Sequence, residues 1–205
     1  MIKPRIRIAG VVDVETSGLG KYSEIIELSL VVFGFNADSG EVTGIMDEYC
    51  GLREPSGYIN PWATRVHGLT LADVRGHRLD HARIEDMISR TEFLIAHNAS
   101  FDRGYVAAMY PSAAVKPWYC SMAGVNWKAQ GCPNRRLQDL LYFHHIDPGQ
   151  AHRALDDARA TLMLLAYTQP NGETNLKELL HKYEEKEENR RKENPVSGFP
   201  LNSQF

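Results

Sequence analysis

Three apolar segments crowd into the first 52 residues and constrain the fold more than anything else in the chain. From Arg5 to Val14 the residues Ile6, Ile8, Val12 and Val14 alternate, Glu24–Phe35 reads "EIIELSLVVFGF", and a third strand-like segment covers Glu41–Leu52. The connections "TSGLGKYS" and "NADSG" are rich in turn formers, which predicts an antiparallel meander at the front of a sheet. After residue 52 the pattern changes. "PSGYINPWATRVHGLT" reads as loop with one short helical turn, and Leu71–Arg90 as largely helical. A short strand "EFLIAH", a helix Phe101–Met109, a further short strand "PWYCS" and a helix Arg136–His145 ended by "DPG" follow. Two helices close the chain, one densely apolar over Arg153–Tyr167 and one highly charged over Asn175–Lys192. The second carries Glu178–Lys182, Glu187–Arg191 and Glu188–Lys192 at i,i+4 and is expected to be solvated over much of its length. Strands first, then strands mixed with helices, mean an α/β fold with a mixed sheet.

With 205 residues and 43% hydrophobic side chains the chain has material for one substantial core. The expected division is a folded domain over residues 1–170 and a charged helix with a flexible tail over 171–205, the tail "ENPVSGFPLNSQF" being loosely attached or a partner-binding segment. A formal charge of -3 excludes a global basic field, so any polyanion is held by a local patch or by bound cations. Cys50, Cys120 and Cys132 are odd in number and widely separated, which argues against a disulfide framework or a structural zinc site. Reduced thiols and no long apolar stretch in "MIKPRIRIAG" point to the cytoplasm, and no run approaches the ~18 apolar residues of a membrane span.

Against this background "GVVDVETSGL" is odd, because an apolar run finishes in two acids. Side chains two apart on a strand share a face, so Asp13 and Glu15 project side by side. Like charges at that distance raise one another's pKa unless a cation lies between them, which points to a hard divalent metal. The alternative is that one acid caps a turn while the other is simply exposed. Two further clusters bear on the choice. "LIAHNASFD" puts Asp102 in the first turn of a helix, where dipole stabilisation is a sufficient explanation for an isolated acid. In "HRALDDARATLMLL", Ala154, Asp157, Thr161 and Leu164 form one stripe, so Asp157 is the inward acid, while Asp156 is assigned an i,i+3 pair with Arg159. His152, behind the turn "DPGQA", is expected in a loop.

"DVETSGL", "HNASFD" and "HRALDDA", in this order, resemble the three motifs of the DEDDh exonuclease family, which includes the epsilon subunit of bacterial DNA polymerase III, exonuclease X and ribonuclease T. The resemblance covers roughly residues 5–168. It implies a ribonuclease H-like fold, a mixed sheet flanked by helices. It also implies that Asp13, Glu15, Asp102 and Asp157 are ligands of two divalent cations, Mg²⁺ or Mn²⁺, and that His152 is the general base of 3′→5′ phosphodiester hydrolysis. The substrate is then nucleic acid with a free 3′ end, DNA favoured, in proofreading or repair, with a polymerase or repair partner for the tail.

Substrate contacts follow from the same resemblance: the Thr16 backbone and the Leu19 side chain against a base, with His97, Asn98 and Phe101 beside Asp102. His67 in "RVHGLT" matches a His-Gly element of the family, with packing of the loop as the competing explanation. Trp62, Trp118 and Trp127 are candidates for stacking on bases, although aromatic side chains are usually core. An exoribonuclease of the ribonuclease T type stays open, since the choice rests on contacts to the 2′-hydroxyl. A haloacid dehalogenase-type phosphatase fits less well, because it needs D-x-D and has no use for His152. A non-catalytic module binding nucleic-acid ends or a partner is the third alternative.

Overall fold

The computed structural model describes residues 5–147, 149 and 151–193. In chain order the strands and helices are β1 (Ile6–Thr16), β2 (Ile25–Asn36), β3 (Val42–Leu52), α1 (Pro61–His67), α2 (Leu71–Val74) and α3 (His81–Ser89). There follow β4 (Leu94–Ala96), α4 (Ala99–Met109), α5 (Pro111–Val115), β5 (Trp118–Cys120) and α6 (Ser121–Gly124). The chain closes with α7 (Leu137–Phe143), α8 (Ala154–Ala166) and α9 (Asn175–Glu193). The five strands form one sheet in the order β3-β2-β1-β4-β5. β1, β2 and β3 are the antiparallel meander, whereas β4 and β5 run parallel to β1.

Both faces of this sheet are covered, which is why β2 is buried along eleven of its twelve residues. On one face Ala9, Val11, Val31, Phe33 and Phe35 pack against α8 and the first turns of α9. On the other, Val12, Val14, Leu28, Leu30 and Val32 meet Ile84, Met87 and Ile88 of α3 and Val106 of α4. The alternation along β1 therefore delivers Asp13 and Glu15 to the face that α8 covers.

Several expectations need correction. The span 71–90 is two helices, because Arg75 turns extended after α2, Gly76 takes φ 75° and Asp80 then caps α3 by accepting the Arg83 N–H. The helical turn expected before residue 70 is the two-turn α1, capped by Asn60, opened by Pro61 and closed by Gly68 in the left-handed region. The short helices α5 and α6 carry no clear periodicity in sequence. The charged α9 is exposed over most of its length, as expected, but its first turns are not, since Leu176, Leu179 and Leu180 lie in the main core. Glu178 and Lys182 do not pair: Glu178 accepts the Asn126 N–H and a Gln169 amide, while Lys182 donates to the Ala123 carbonyl. Glu188 and Lys192 do pair, at 2.8 Å, and the side chain of Arg191 lies outside the described residues, as does the tail 194–205. Arg159 reaches across to Glu48 on β3 in a two-pronged pair at 2.7 and 2.6 Å, with the charge of Asp156 adding a weaker influence. Among the described residues no helix is long and apolar enough to cross a membrane.

Candidate active site

The end of β1 forms the floor of a cleft of about 520 Å³ lined by Asp13, Glu15, His97, Asn98, Phe101, Asp102, His152 and Asp157, with Arg136–Asp139 on its far wall. All five residues of the three motifs thus meet in one place. Asp102 arrives from the first turn of α4, and its Oδ1 accepts the Val14 N–H at 3.2 Å, beyond the last β1–β4 pair at Val11 and Ile95. Asp157 arrives from the first turn of α8, as its stripe requires. Its two oxygens take the His152 backbone N–H at 3.1 Å and the Gln138 side-chain amide at 3.0 Å. His152 is exposed and outside the helix with φ 60°, a left-handed conformation uncommon for a residue with a side chain. Ligand atoms of Glu15, His152 and Asp157 all lie within 4.8 Å of one another.

Burial is the largest influence on this cluster, and repulsion follows. Asp13 is held well above the usual carboxylate range by burial and then by the charges of Asp102, Asp157 and Glu15. Glu15 is pushed up to about 8 by burial and the neighbouring carboxylates, with Arg153 pulling the other way. Asp102 rises to about 7 through burial, against the hydrogen bonds its carboxylate accepts. Burial also raises Asp157, in part offset by His152 and Gln138. Four acids so disposed form a site of unbalanced negative charge, and that charge suits hard divalent cations.

Next to the cleft, sharing Glu15 and Phe101 with it, is an apolar cavity of about 490 Å³. Thr16, Gly18 and Leu19 form one wall, and Trp62, Ala63, Val66 and His67 of α1 the other. The loop after β1 is tied to α1 where the Asn60 N–H donates to the Ser17 carbonyl at 2.8 Å. Thr16 is buried, its hydroxyl donating to the Gly18 carbonyl at 2.6 Å. Leu19 is 88% exposed at one lip and Trp62 71% exposed at the other, with the Arg65 guanidinium 4.5 Å from the indole centre. Trp118 and Trp127 are core residues. Asn98 is exposed, and Phe101 is half-buried between cleft and cavity.

The two histidines differ in how their rings are held. His67 accepts the Leu69 N–H on Nδ1 at 3.0 Å, which places its hydrogen on the buried Nε2, where the Thr16 backbone is its polar neighbour. His97 has both nitrogens occupied, Nε2 donating to the Arg135 carbonyl and Nδ1 facing the Ser121 hydroxyl, each at 2.8 Å. His97 therefore ties β4 to the segment before α7, and its polar atoms are not free for a substrate. Burial pushes the pKa of both rings down.

A sequence profile of the exonuclease family matches residues 11–165, three quarters of the chain. The chain belongs to the DEDDh 3′→5′ exonuclease family. The chain is 30% identical over 161 residues to a PolC-type DNA polymerase III of Listeria innocua and 28% identical over 166 residues to one of Thermotoga petrophila. These alignments cover 75% and 74% of the chain but 11% of each polymerase. Among solved structures, E. coli exonuclease I in complex with a dA16 oligonucleotide superposes with a TM-score of 0.64 at 18% identity, over 87% of this chain and 45% of that one. Exonuclease X in complex with 5′ overhanging duplex DNA gives 0.58 at 24% identity, over 82% and 99%. These likenesses establish the ribonuclease H-like fold, a mixed sheet flanked by helices. The DEDDh family is a family of divalent-metal-dependent phosphodiester hydrolases, to which this cluster of acids conforms.

Three residues that surround the acid cluster escape sequence reasoning. Glu27 sits directly across from Glu15 in the β1–β2 register, and Arg153 pairs with it. Gln138, on α7, orients Asp157. The one signal for Glu27 is an acid, followed two residues later by Ser29, inside an otherwise apolar strand. Gln138 has no local signal at all.

Proposed function

We propose that this domain removes nucleoside monophosphates successively from a free 3′ end of single-stranded DNA. The observation that carries this reading is the convergence of Asp13, Glu15, Asp102, Asp157 and His152 in one cleft that opens at Glu15 and Phe101 into an apolar cavity. The residues fit divalent cations, since burial and mutual repulsion leave the four carboxyls short of positive charge. Asp13, Glu15, Asp102 and Asp157 would hold two of them, Mg²⁺ or Mn²⁺, which when bound supply an acidified water and charge neutralisation at the scissile phosphate. His152, free of the helix and exposed on the cleft rim, takes the proton of the attacking water. Leu19 and Trp62 embrace the terminal base from opposite lips while Phe101 separates it from the acids, and Arg136 faces the backbone of the strand. A slot with two apolar walls takes a base that has left its stack, which favours single-stranded ends.

The relatives' names, PolC-type DNA polymerase III, support DNA over RNA, while the structural neighbours include exonucleases bound to DNA and one described as recognising a histone mRNA stem-loop. They also support work beside a polymerase or in repair. The deciding experiment incubates purified protein and Mg²⁺ or Mn²⁺ with end-labelled DNA and RNA, single- and double-stranded. Stepwise shortening of single-stranded DNA from its 3′ end is expected. Trimming from the 5′ end, or faster loss of RNA than DNA, overturns the reading.

A further inference from the structure

Glu27 is a buried acid that the proposed chemistry does not use. Its side chain is 1% exposed, on the same face of the sheet as Asp13 and Glu15, with Glu15 as its cross-strand partner. Such a group is costly to bury unless it is fully bonded, and here it is. Arg153 approaches its two oxygens through Nε at 3.2 and 3.1 Å and through Nη2 at 2.6 Å. The Ala154 backbone N–H adds a bond at 3.0 Å. Two residues along β2, Ser29 donates its hydroxyl to the Ala154 carbonyl at 2.6 Å. Asp13 lies opposite Ser29 as Glu15 lies opposite Glu27, so two acids on β1 face the cleft while their two neighbours on β2 grip the start of α8.

What is gripped is the point where the chain leaves the left-handed His152 and enters the helix. Arg153 is the extended N-cap, Ala154 the first helical residue, and the Asp157 N–H closes the first turn on the Arg153 carbonyl at 3.0 Å. A left-handed histidine is strained and persists only where its surroundings fix it. The bonds that surround it are the Asp157 carboxylate on its own N–H and the Glu27 socket on the next two residues.

We propose that Glu27 and Arg153 form a positioning latch that fixes the backbone of His152 where the chain enters α8, and so holds His152 over the acid pair on β1. Neither residue is catalytic; both act through His152, and the kinetic part of the proposal rests on that residue's role as general base. Glu27→Gln keeps the shape but presents an amide to the guanidinium. Arg153→Lys keeps the charge and loses the fork.

The test measures kcat and KM on a 5′-labelled single strand for each variant, alone and combined with His152→Ala, and amide hydrogen exchange on metal-free protein. Glu27→Gln is expected to lower kcat ~10–100-fold with KM unchanged, Arg153→Lys less, and neither to lower it further once His152 is alanine. In metal-free protein the amides of residues 152–157 should exchange at least about tenfold faster, with the rest of α8 unaffected. Equal losses with and without His152, a KM effect alone, or unchanged exchange overturn the latch. Arg153→Lys carries both measurements if Glu27→Gln does not fold. If wild-type protein leaves 3′ ends intact, the exonuclease reading fails, while the exchange measurement still decides the latch.

Discussion

Two kinds of buried carboxylate face each other across one strand pair. On β2, Glu27 is saturated: a guanidinium and a backbone N–H fill its oxygens, and Cys50 adds a weak thiol contact at 3.7 Å. On β1, Asp13 and Glu15 are pushed upward in pKa by burial and then by the surrounding carboxylates, Asp157, Asp102 and Glu27 among them, and the cationic side chain that eases Glu15 is Arg153, already committed to Glu27. The same strand pairing thus carries a charge the fold satisfies and charges it leaves for something else. A buried acid with its donors in place is read as architecture, and one without them as a site.

The sharpest way to break this contrast is to remove an acid from each side. Asp13→Ala or Asp157→Ala should cut exonuclease turnover by on the order of 10³-fold or more while the protein stays folded by circular dichroism, and chelation of divalent cations should do the same. Retained turnover would mean that the cluster does not hold the reacting centre. Glu27→Ala should instead lower stability by about 2–4 kcal/mol in urea unfolding, less than for a fully buried pair because Arg153 is partly exposed. A loss as large for Asp13→Asn would erase the distinction.

The pH dependence separates the two sides as well. Glu15 has its folded-state value near 8 against an ordinary 4.5, so between those limits the folded state binds the extra proton. Metal-free protein should therefore lose stability as pH rises from about 4.5 towards 8, by at most roughly 1.4 kcal/mol per unit for this one group. Thermal melts should show the slope, and Glu15→Gln or saturating Mg²⁺ should flatten it; a metal-free slope of the opposite sign refutes the charge imbalance. The smallest expected effect lies outside the acid cluster. Trp62→Ala should weaken single-strand binding about tenfold, as loss of one stacked base does. Trp62 is exposed and the other two tryptophans are core, so quenching of its fluorescence by an oligonucleotide in Ca²⁺ reports the contact directly.

The β1–β3 meander is legible in sequence because its apolar runs end at turn formers, and Asp13, Glu15 and Asp157 because strand and helix periodicities place them, whereas Asp102 is legible only through its motif's resemblance to the family. The break between α2 and α3 is not, since Leu71–Arg90 stays amphipathic through residues whose backbone turns at Gly76. Nor is the burial of the start of α9, where three leucines are hidden among charges. Arg159 has Asp156 within helical reach, yet Glu48 on β3 holds it; only tertiary structure brings that partner near. Glu27 illustrates the same limit, because its partners lie 126 and 127 residues away.

His152 sits where glycine would be most comfortable, at φ 60°. Replacing it with glycine would relax the backbone and discard the imidazole. A library screened for heat resistance alone would thus be drawn towards a sturdier chain with no proton acceptor at its rim. The chain keeps a strained backbone at the residue to which the proposed chemistry gives the proton, and that residue marks where thermostabilising consensus design must be told to stop.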